Sequence, residues 1–330
     1  MHLTMRISIK TMYNPVLSEI EKQLSSANDI ALFCHTNPDC DALGSMLALY
    51  LALKKKDKSV SVYCDTPVPE RLKVLEGAEF ITFPEKRVHE LAVCLDCSDL
   101  DRLGQCMKSF LSAKKQIAID HHVSFKRFAP LCLVDSDAGA CAEIVYELLK
   151  DMKALDECIA KLLFAAIVTD TGCFSQYNCT AKSMEIAVEL QKFGFDAQQI
   201  VYQVYKSTSI ERFKLKNLAL SRAKFYENGK IALIYVSSKD LTDTGACTED
   251  AEGIISSLLD VESVKVAYSL LQASERSYKL SIRTKDGVDA YDIANVFGGG
   301  GHKFAAGCRI NGYFEDIVEK LVRLASDRLI

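Results

Sequence analysis

The chain has 330 residues, 49% of them hydrophobic, which is enough apolar material for two separate cores and makes two domains the expectation. Charged residues make up 25% and the formal net charge is −4, which excludes a general basic field that coats long nucleic acid; any nucleotide partner should be small and held locally. The longest apolar runs, such as Leu162 to Val168, are far shorter than a bilayer span, and no apolar stretch with a small-residue cleavage site opens the chain, so the expectation is a cytoplasmic, soluble protein with no membrane partner.

From residue 30 to 170, short β-type runs alternate with helical stretches, the pattern of a mostly parallel sheet covered on both faces. The strands expected are Ile30–Cys34, Ser59–Cys64, Leu91–Leu95, Gln116–Ile119 and Leu131–Val134. Helices are expected over Gly44–Lys55, Glu70–Leu75, Ala142–Lys150 and Ile159–Val168. After Lys182 the pattern is helical and more polar through Arg222, with a break at Gly194 and a cap region at Ser207-Thr208-Ser209. A second β-rich pattern follows, with strands at Ile231–Val236, Val264–Leu271 and Tyr278–Arg283, a helix near Thr248–Leu259 and a glycine run at 298–301. The fold class is thus α/β, with an N-terminal doubly wound, mostly parallel sheet domain (1–194), a helical connector (195–226) and a smaller C-terminal α/β domain (227–330). Thirteen cysteines, an odd number scattered through apolar segments, read as buried free thiols, and the lone Cys94/Cys97 pair has no second pair nearby.

In an open parallel sheet, ligands bind outside the carboxyl ends of the strands, so the residues that follow each strand matter most. Here the first strand runs into His35-Thr-Asn-Pro-Asp39-Cys-Asp41, a later one into Asp96, and the next into Asp120-His121-His122. The helical segment before residue 170 ends in Asp170-Thr171-Gly172. A single acid after a strand is usually a polar turn, and Asp65 and Asp135 are read that way. Several carboxylates and at least two histidines on one edge would repel one another without cations, and the donor set suits Mn²⁺ or Mg²⁺ better than a thiolate-type zinc site. Gly44 and Ser45 are expected to open a helix whose amino end could face a phosphate oxygen. His89 and His2 stand outside any cluster and read as surface residues.

Taken together, His35 through Ser45, Asp96, Asp120-His121-His122 and Asp170-Thr171-Gly172 resemble the four successive motifs of the DHH phosphoesterases. The run Gly298-Gly299-Gly300-Gly301-His302, followed by Lys303 and Ala305-Ala306-Gly307, resembles the glycine-rich motif of the DHH-associated domain in the nanoRNase and RecJ-like branches. One departure is Cys40, where the family often has glycine. The resemblance implies that His35, Asp39 and Asp96 hold one metal ion and that Asp41, Asp96, His121 and Asp170 hold the other, so that Asp96 is shared. It implies a catalytic setting completed by His122, which contacts the phosphate or orients the site, and by Asp120, which supports the histidines. It also implies that Arg283 and His302 bind a substrate phosphate from the second domain across a cleft, with Gly299, Gly300 and Gly301 letting backbone N–H groups approach it.

The cofactors implied are two divalent ions, Mn²⁺ first and Mg²⁺ second. The partners implied are short RNA or dinucleotides and a mononucleotide bisphosphate, with no long nucleic acid; a homodimer is compatible with the pattern. The activity implied is that of the nanoRNase class: hydrolysis of short oligoribonucleotides to mononucleotides and of 3′-phosphoadenosine 5′-phosphate to AMP. The alternative is a cyclic di-AMP or linear dinucleotide phosphodiesterase on the same scaffold. A family II pyrophosphatase lacks the glycine-rich element, and a RecJ-like exonuclease needs added domains and a basic groove. A non-catalytic nucleotide-binding module is disfavoured by the complete ligand set.

Overall fold

The computed structural model describes residues 15–285 and 287–329, with the side chain of His302 outside the described residues. Two units divide the chain at Ser207/Thr208. The first begins with helix α1 (15–26). It continues through β1 (Asp29–Phe33), α2 (Cys40–Lys54), β2 (Ser59–Tyr63), β3 (Ile81–Thr82), β4 (Leu91–Leu95), α3 (Met107–Ser112), β5 (Lys115–Asp120) and β6 (Leu131–Val134). Helices α4 (Cys141–Asp151), α5 (Glu157–Asp170), α6 (Ala181–Gln191) and α7 (Ala197–Val201) complete it.

The strands form one sheet in the order β3-β2-β1-β4-β5-β6, every pairing parallel. Successive side chains alternate between its two faces. Ile30, Leu32, Leu91, Val93, Leu95, Ile117 and Ile119 meet α2, α4 and α5 in the larger core. Ala31, Ala92, Cys94 and Ala118 point the other way, toward Leu103 and Phe110. Both faces are covered, which is why these strands read in the sequence as nearly continuous apolar runs. Strand order reverses between β1 and β4, and a crevice at such a switch point is where doubly wound sheets bind ligands.

Helix α2 begins earlier than the sequence suggested. Asp39 caps it, its carboxylate accepting the Ala42 N–H at 3.0 Å, so Gly44 lies in the second turn and the amino end facing the crevice is that of Cys40 and Asp41. Gly44 serves packing instead: a Cβ there would lie 2.7 Å from the Leu162 carbonyl oxygen of α5. The helix is apolar nearly all round because it is buried nearly all round. Leu43, Met46 and Leu47, each fully buried, contribute about 1.5–3 kcal/mol apiece. The helix expected at Glu70–Leu75 is a single 3-10 turn over Glu70–Leu72.

The second unit runs α8 (Ile210–Ser221), β7 (Lys224–Tyr226), β8 (Ile231–Val236), α9 (Ser238–Thr244), α10 (Ser256–Leu259), β9 (Val266–Ser274) and β10 (Ser277–Thr284). Then come α11 (Ala290–Asn295), β11 (Gly300–His302), β12 (Ala305–Asn311) and α12 (Phe314–Ser326). Its mixed sheet has the order β11-β12-β10-β9-β8-β7, with β8 and β9 parallel and the other pairs antiparallel. One face packs Tyr268, Leu280 and Ile282 against Ile293, Ile317 and Leu321. Part of the other face is covered by Leu215 of α8 and by Ile254, Ile255 and Leu258. The helix expected near Thr248–Leu259 is broken in two by Gly253, whose φ of +78° no continuous helix accommodates.

The stretch 195–226 is divided between the units. Ile200 and Val204 pack on the first core, whereas α8, capped by Ser209 Oγ accepting the Arg212 N–H at 3.0 Å, buries Leu215 and Ala219 in the second. Among the described residues, no helix is long and apolar enough to cross a membrane.

Candidate metal centre and active site

Four segments deliver side chains to the crevice of the first unit. The β1–α2 loop carries His35 and Asp39 and the first turn of α2 carries Asp41; Asp96 directly follows β4; β5 ends at Asp120, with His121 and His122 after it; and α5 ends at Asp170. His35 is 3% exposed, Asp41 1%, Asp96 2% and Asp120 0%, so this is a buried cluster of charge rather than a solvated rim. Asp96 takes φ +53°, a left-handed conformation that a non-glycine residue adopts at a cost of about 1–3 kcal/mol and that clusters at functional sites.

The separations are those of atoms that share an ion. His35 Nε2 lies 3.7 Å from Asp39 Oδ2 and 3.7 Å from Asp96 Oδ2. His121 Nε2 lies 3.8 Å from Asp41 Oδ2, 3.6 Å from Asp96 Oδ1 and 3.7 Å from Asp170 Oδ2. These gaps are too long for hydrogen bonds, but ligands each ~2.1 Å from one hard cation stand roughly 3–4 Å apart. Asp96 faces both groups, one oxygen toward each histidine. Its Oδ1 is buried and has no hydrogen-bond partner among the described residues, a costly state for a carboxylate unless a cation takes it up.

The ring tautomers fit as well. His35 Nδ1 lies 2.8 Å from the Thr36 carbonyl and His121 Nδ1 lies 3.2 Å from the Ala138 carbonyl. A carbonyl only accepts, so Nδ1 carries the proton and Nε2 presents its lone pair to the cluster. Three sets, His35/Asp39/Asp96, Asp41/His121/Asp170 and Asp96/His121/His122, each bring one ligand atom per residue within 4.8 Å of the others. The carboxylate and imidazole donors suit a hard divalent ion.

Electrostatics describe a site built for added positive charge. Burial, followed by the charges of Asp41, Asp39, Asp120 and Asp170, pushes Asp96 well above the carboxylate range. Burial also raises Asp170, to about 8, against the opposing pull of His121. Asp170 stands at the carboxyl end of α5, where the helix dipole disfavours an anion further. Asp41 is raised chiefly by burial, although it accepts N–H groups from Cys141 at 2.6 Å and Ala142 at 3.0 Å at the start of α4 and the Ser45 hydroxyl at 3.2 Å. At Asp39, whose side chain is half exposed, partial desolvation is outweighed by the charge of the facing His35, which holds the carboxylate below the ordinary range. For His35 and His121, burial lowers the pKa and the facing aspartates more than offset it, so both are raised.

Asp120 does not face the shared-ion gaps. Its Oδ1 accepts the backbone N–H groups of His121 at 2.6 Å and His122 at 3.0 Å and lies 2.6 Å from His122 Nδ1, pinning the backbone of the pair and the ring of His122. His122 Nδ1 also lies 3.5 Å from Asp96 Oδ1. Cys40 is buried behind the loop, and Asp65 and Asp135 stay outside all three ligand sets.

The second unit holds the remaining sequence-derived residues. Arg283 of β10 and His302 of β11 both pair with Ala305 of β12, which places them in one cross-strand row. The side chain of His302 lies outside the described residues. Arg283 is half-buried and donates only to the neighbouring Ile282 carbonyl at 3.0 Å; among the described residues no carboxylate forms an ion pair with it, and burial lowers its pKa. A cation held that way lacks an anion. Gly300 faces Gly307 in the same ladder, and a Cβ on Gly300 would meet nothing within 4 Å. Gly299 and Gly301 have no such room: a Cβ on either would come within 2.5 Å of a backbone carbonyl oxygen of β12.

Sequence reasoning missed two features. His89 is not a surface residue: it is fully buried, with Nδ1 3.1 Å from Asp29 Oδ1 and Nε2 3.4 Å from the Tyr63 hydroxyl, and it belongs to none of the three ligand sets. His2 lies outside the described residues. Asn178, which touches Asp170, belonged to no spacing pattern.

Fold and site together define a two-unit α/β protein with a site able to bind divalent metal at the switch point of its first sheet. The profile of the DHH family, N-terminal domain, matches residues 29–167, and that of the DHHA1 domain matches residues 228–329. The bifunctional oligoribonuclease and PAP phosphatase NrnA of Thermus thermophilus is 32% identical over 289 residues, covering 86% of this chain and 84% of that protein. The Bacillus subtilis protein of the same name is 26% identical, covering 90% and 94%. The crystal structure of an exopolyphosphatase-related protein from Bacteroides fragilis matches with a TM-score of 0.87 at 26% identity, covering 94% of this chain and 95% of that one. The chain belongs to the DHH family and carries a DHHA1 domain after the DHH domain.

Proposed function

We propose that the protein is a Mn²⁺-dependent phosphoesterase that hydrolyses short oligoribonucleotides to mononucleotides and converts 3′-phosphoadenosine 5′-phosphate to AMP. The observation that carries this reading is the shared carboxylate: Asp96 offers one oxygen toward His35 and Asp39 and the other toward His121. His35, Asp39 and Asp96 would hold one ion and Asp41, Asp96, His121 and Asp170 the other. When bound, such ions supply Lewis acidity toward the phosphoryl oxygens and lower the pKa of the attacking water. The names and coverage of the two NrnA relatives support the substrate class.

The chain's own residues supply orientation and substrate grip. Asp120 fixes the backbone of His121 and His122 and the ring of His122 through three contacts to one oxygen, and His122 is assigned to the phosphate. Nδ1-to-carbonyl contacts place a proton on Nδ1 of both ligand histidines and turn Nε2 inward. Arg283 and His302 would hold a non-reacting phosphate, with the backbone of Gly299, Gly300 and Gly301 close to it.

The test is a turnover panel with Mn²⁺ or Mg²⁺ on 3′-phosphoadenosine 5′-phosphate, linear diadenylate, cyclic di-AMP, RNA of two to five nucleotides, a long single strand and pyrophosphate, ranked by kcat/KM. Short RNA and the bisphosphate should lead, with Mn²⁺ ahead of Mg²⁺ and rates falling steeply beyond about five nucleotides, as a substrate site of limited volume requires. A lead for cyclic di-AMP would replace the proposed substrate, and equal rates on dinucleotides and long strands would remove the size limit.

A further inference from the structure

The turn between α5 and α6 contains three successive left-handed residues, Gly172 (φ +57°), Cys173 (φ +55°) and Phe174 (φ +64°), two of which carry side chains. A left-handed non-glycine residue costs about 1–2 kcal/mol, so the turn must be held from outside. Thr171 Oγ1 donates to the Ile167 carbonyl at 2.6 Å and accepts the Phe174 N–H at 3.2 Å. The Gln176 N–H donates back to the Thr171 carbonyl at 3.0 Å. The result is that the chain doubles back and sets Asn178 against Asp170, the residue at which the turn began.

Asn178 Nδ2 lies 2.8 Å from the Gly139 carbonyl, 3.0 Å from the Asp170 carbonyl and 3.2 Å from Asp170 Oδ2. Three acceptors around one nitrogen fix the amide orientation, because the flipped group would face its own oxygen toward all three. Its Oδ1 is buried and unpartnered among the described residues, a cost of about 1–3 kcal/mol that a space-filling side chain would not incur. The anchoring peptide is fixed in turn: the Gly139 N–H donates to Glu143 Oε1 at 3.0 Å, and that oxygen also accepts the Ser183 hydroxyl at 2.6 Å. Each layer orients the next, ending at the Asp170 carboxylate.

We propose that Asn178 is a positioning residue for the metal centre, whose amide holds Asp170 with Oδ2 directed to the position it shares with His121 and Asp41. The choice of side chain fits that task. A lysine would neutralise Asp170 and compete with the ion, and an aspartate would add another negative charge to a crowded cluster; a neutral donor orients the ligand without doing either. The inference rests on the two-ion reading above.

The experiment is titration of Mn²⁺ into metal-free wild-type, Asn178→Leu and Asn178→Ser proteins by calorimetry, with thermal melting and steady-state kinetics on diadenylate from the same samples. Leucine keeps the volume while removing the donor and the orphaned oxygen together. The expected result is a loss of about 10–100-fold in affinity for one of the two ions, with the other unchanged. kcat should be depressed at low Mn²⁺ and recover as Mn²⁺ is raised, KM for diadenylate should stay at the wild-type value, and the serine variant should fall in between. A folded leucine variant that melts lower yet binds both ions with wild-type affinity would reduce Asn178 to a structural residue and overturn the proposal. If the leucine variant does not fold, the serine variant is judged by the same titration. A wild-type protein that binds fewer than two ions or leaves diadenylate intact would instead bring down the reading beneath it.

Discussion

The two units hold their functional residues in opposite ways. In the first, carboxylates and imidazoles from four segments are buried against one another, and the fold tolerates unfavourable charge to keep them there. In the second, a half-buried arginine with no carboxylate ion-paired to it among the described residues shares a sheet with the glycine run. On the proposed reading, the contrast separates ligands that must be fixed in position before an ion arrives from groups that grip a substrate once it arrives. Conserving the first arrangement costs stability, whereas the second costs little, so substitutions in the two units should differ in kind.

The largest effect is expected at Asp96. Asp96→Asn keeps a side chain that tolerates the left-handed backbone, and it should lose several orders of magnitude in kcat, as should chelation of the wild-type protein. At a pH high enough to ionise Asp96, the metal-free variant should nonetheless melt higher than the metal-free wild type, because it removes a carboxylate whose charged form burial and the neighbouring aspartates disfavour. A variant both inactive and less stable without metal would contradict the account of stored repulsion. Asp65→Asn, at a strand end outside the ligand sets, should remain active.

Arg283→Ala should behave differently. A charge-assisted phosphate contact is worth roughly 1.5–3 kcal/mol, so kcat/KM should fall about ten- to a hundredfold, mostly through KM, with bound Mn²⁺ unchanged. Wild-type KM would take Arg283 out of substrate recognition, and loss of metal would move it to the other side of the comparison.

Within the glycine run, the two neighbours Gly300 and Gly301 should part company. Gly301 has φ +140° and no space for a Cβ, so Gly301→Ala should cost about 1–3 kcal/mol of stability. Gly300 has open space above it, so Gly300→Ala should melt like the wild type and show its effect, if backbone approach to a phosphate is the reason for glycine, as a raised KM. Equal melting losses in both variants would assign the whole run to folding.

The smallest effect concerns pH. Asp170 is raised to about 8 and Asp96 is also raised well above the carboxylate range, so their contribution to folding is fully present below the unfolded carboxylate value near 4 and is lost as pH rises through the folded values. His35 and His121, also raised, act in the same direction above about pH 6.5. Asp39 and Asp120 are lowered, and their opposite contribution is complete above pH 4, outside this window. Metal-free protein should therefore melt a few degrees lower at pH 9 than at pH 6, and saturating Mn²⁺ should flatten that slope. A metal-free melting temperature that rises over the same range would reverse the sign.

Much of this was legible in the chain itself. The apolar run Leu91–Leu95 is a strand at the residues expected, because a strand buried on both faces has no choice but to be apolar throughout, and the half-buried edge strand Leu131–Val134 also falls where expected. The ligand residues were legible because acids and histidines placed directly after such runs are at odds with burial unless they share a task. What the sequence could not determine depends on approach from elsewhere in space. Gly44 read as a helix start and proved to be the crossing point with α5, since only the neighbouring Leu162 carbonyl reveals the constraint. His89 read as exposed, but Asp29 and Tyr63, remote in sequence, bury it and satisfy both ring nitrogens. The sequence determined which acids and histidines follow the strands and form the proposed ligand set; only the tertiary structure decided that Asp96 turns one oxygen to each histidine and that Asn178 returns to Asp170, because carboxylate orientation is set by contacts across the fold and leaves no period in the chain.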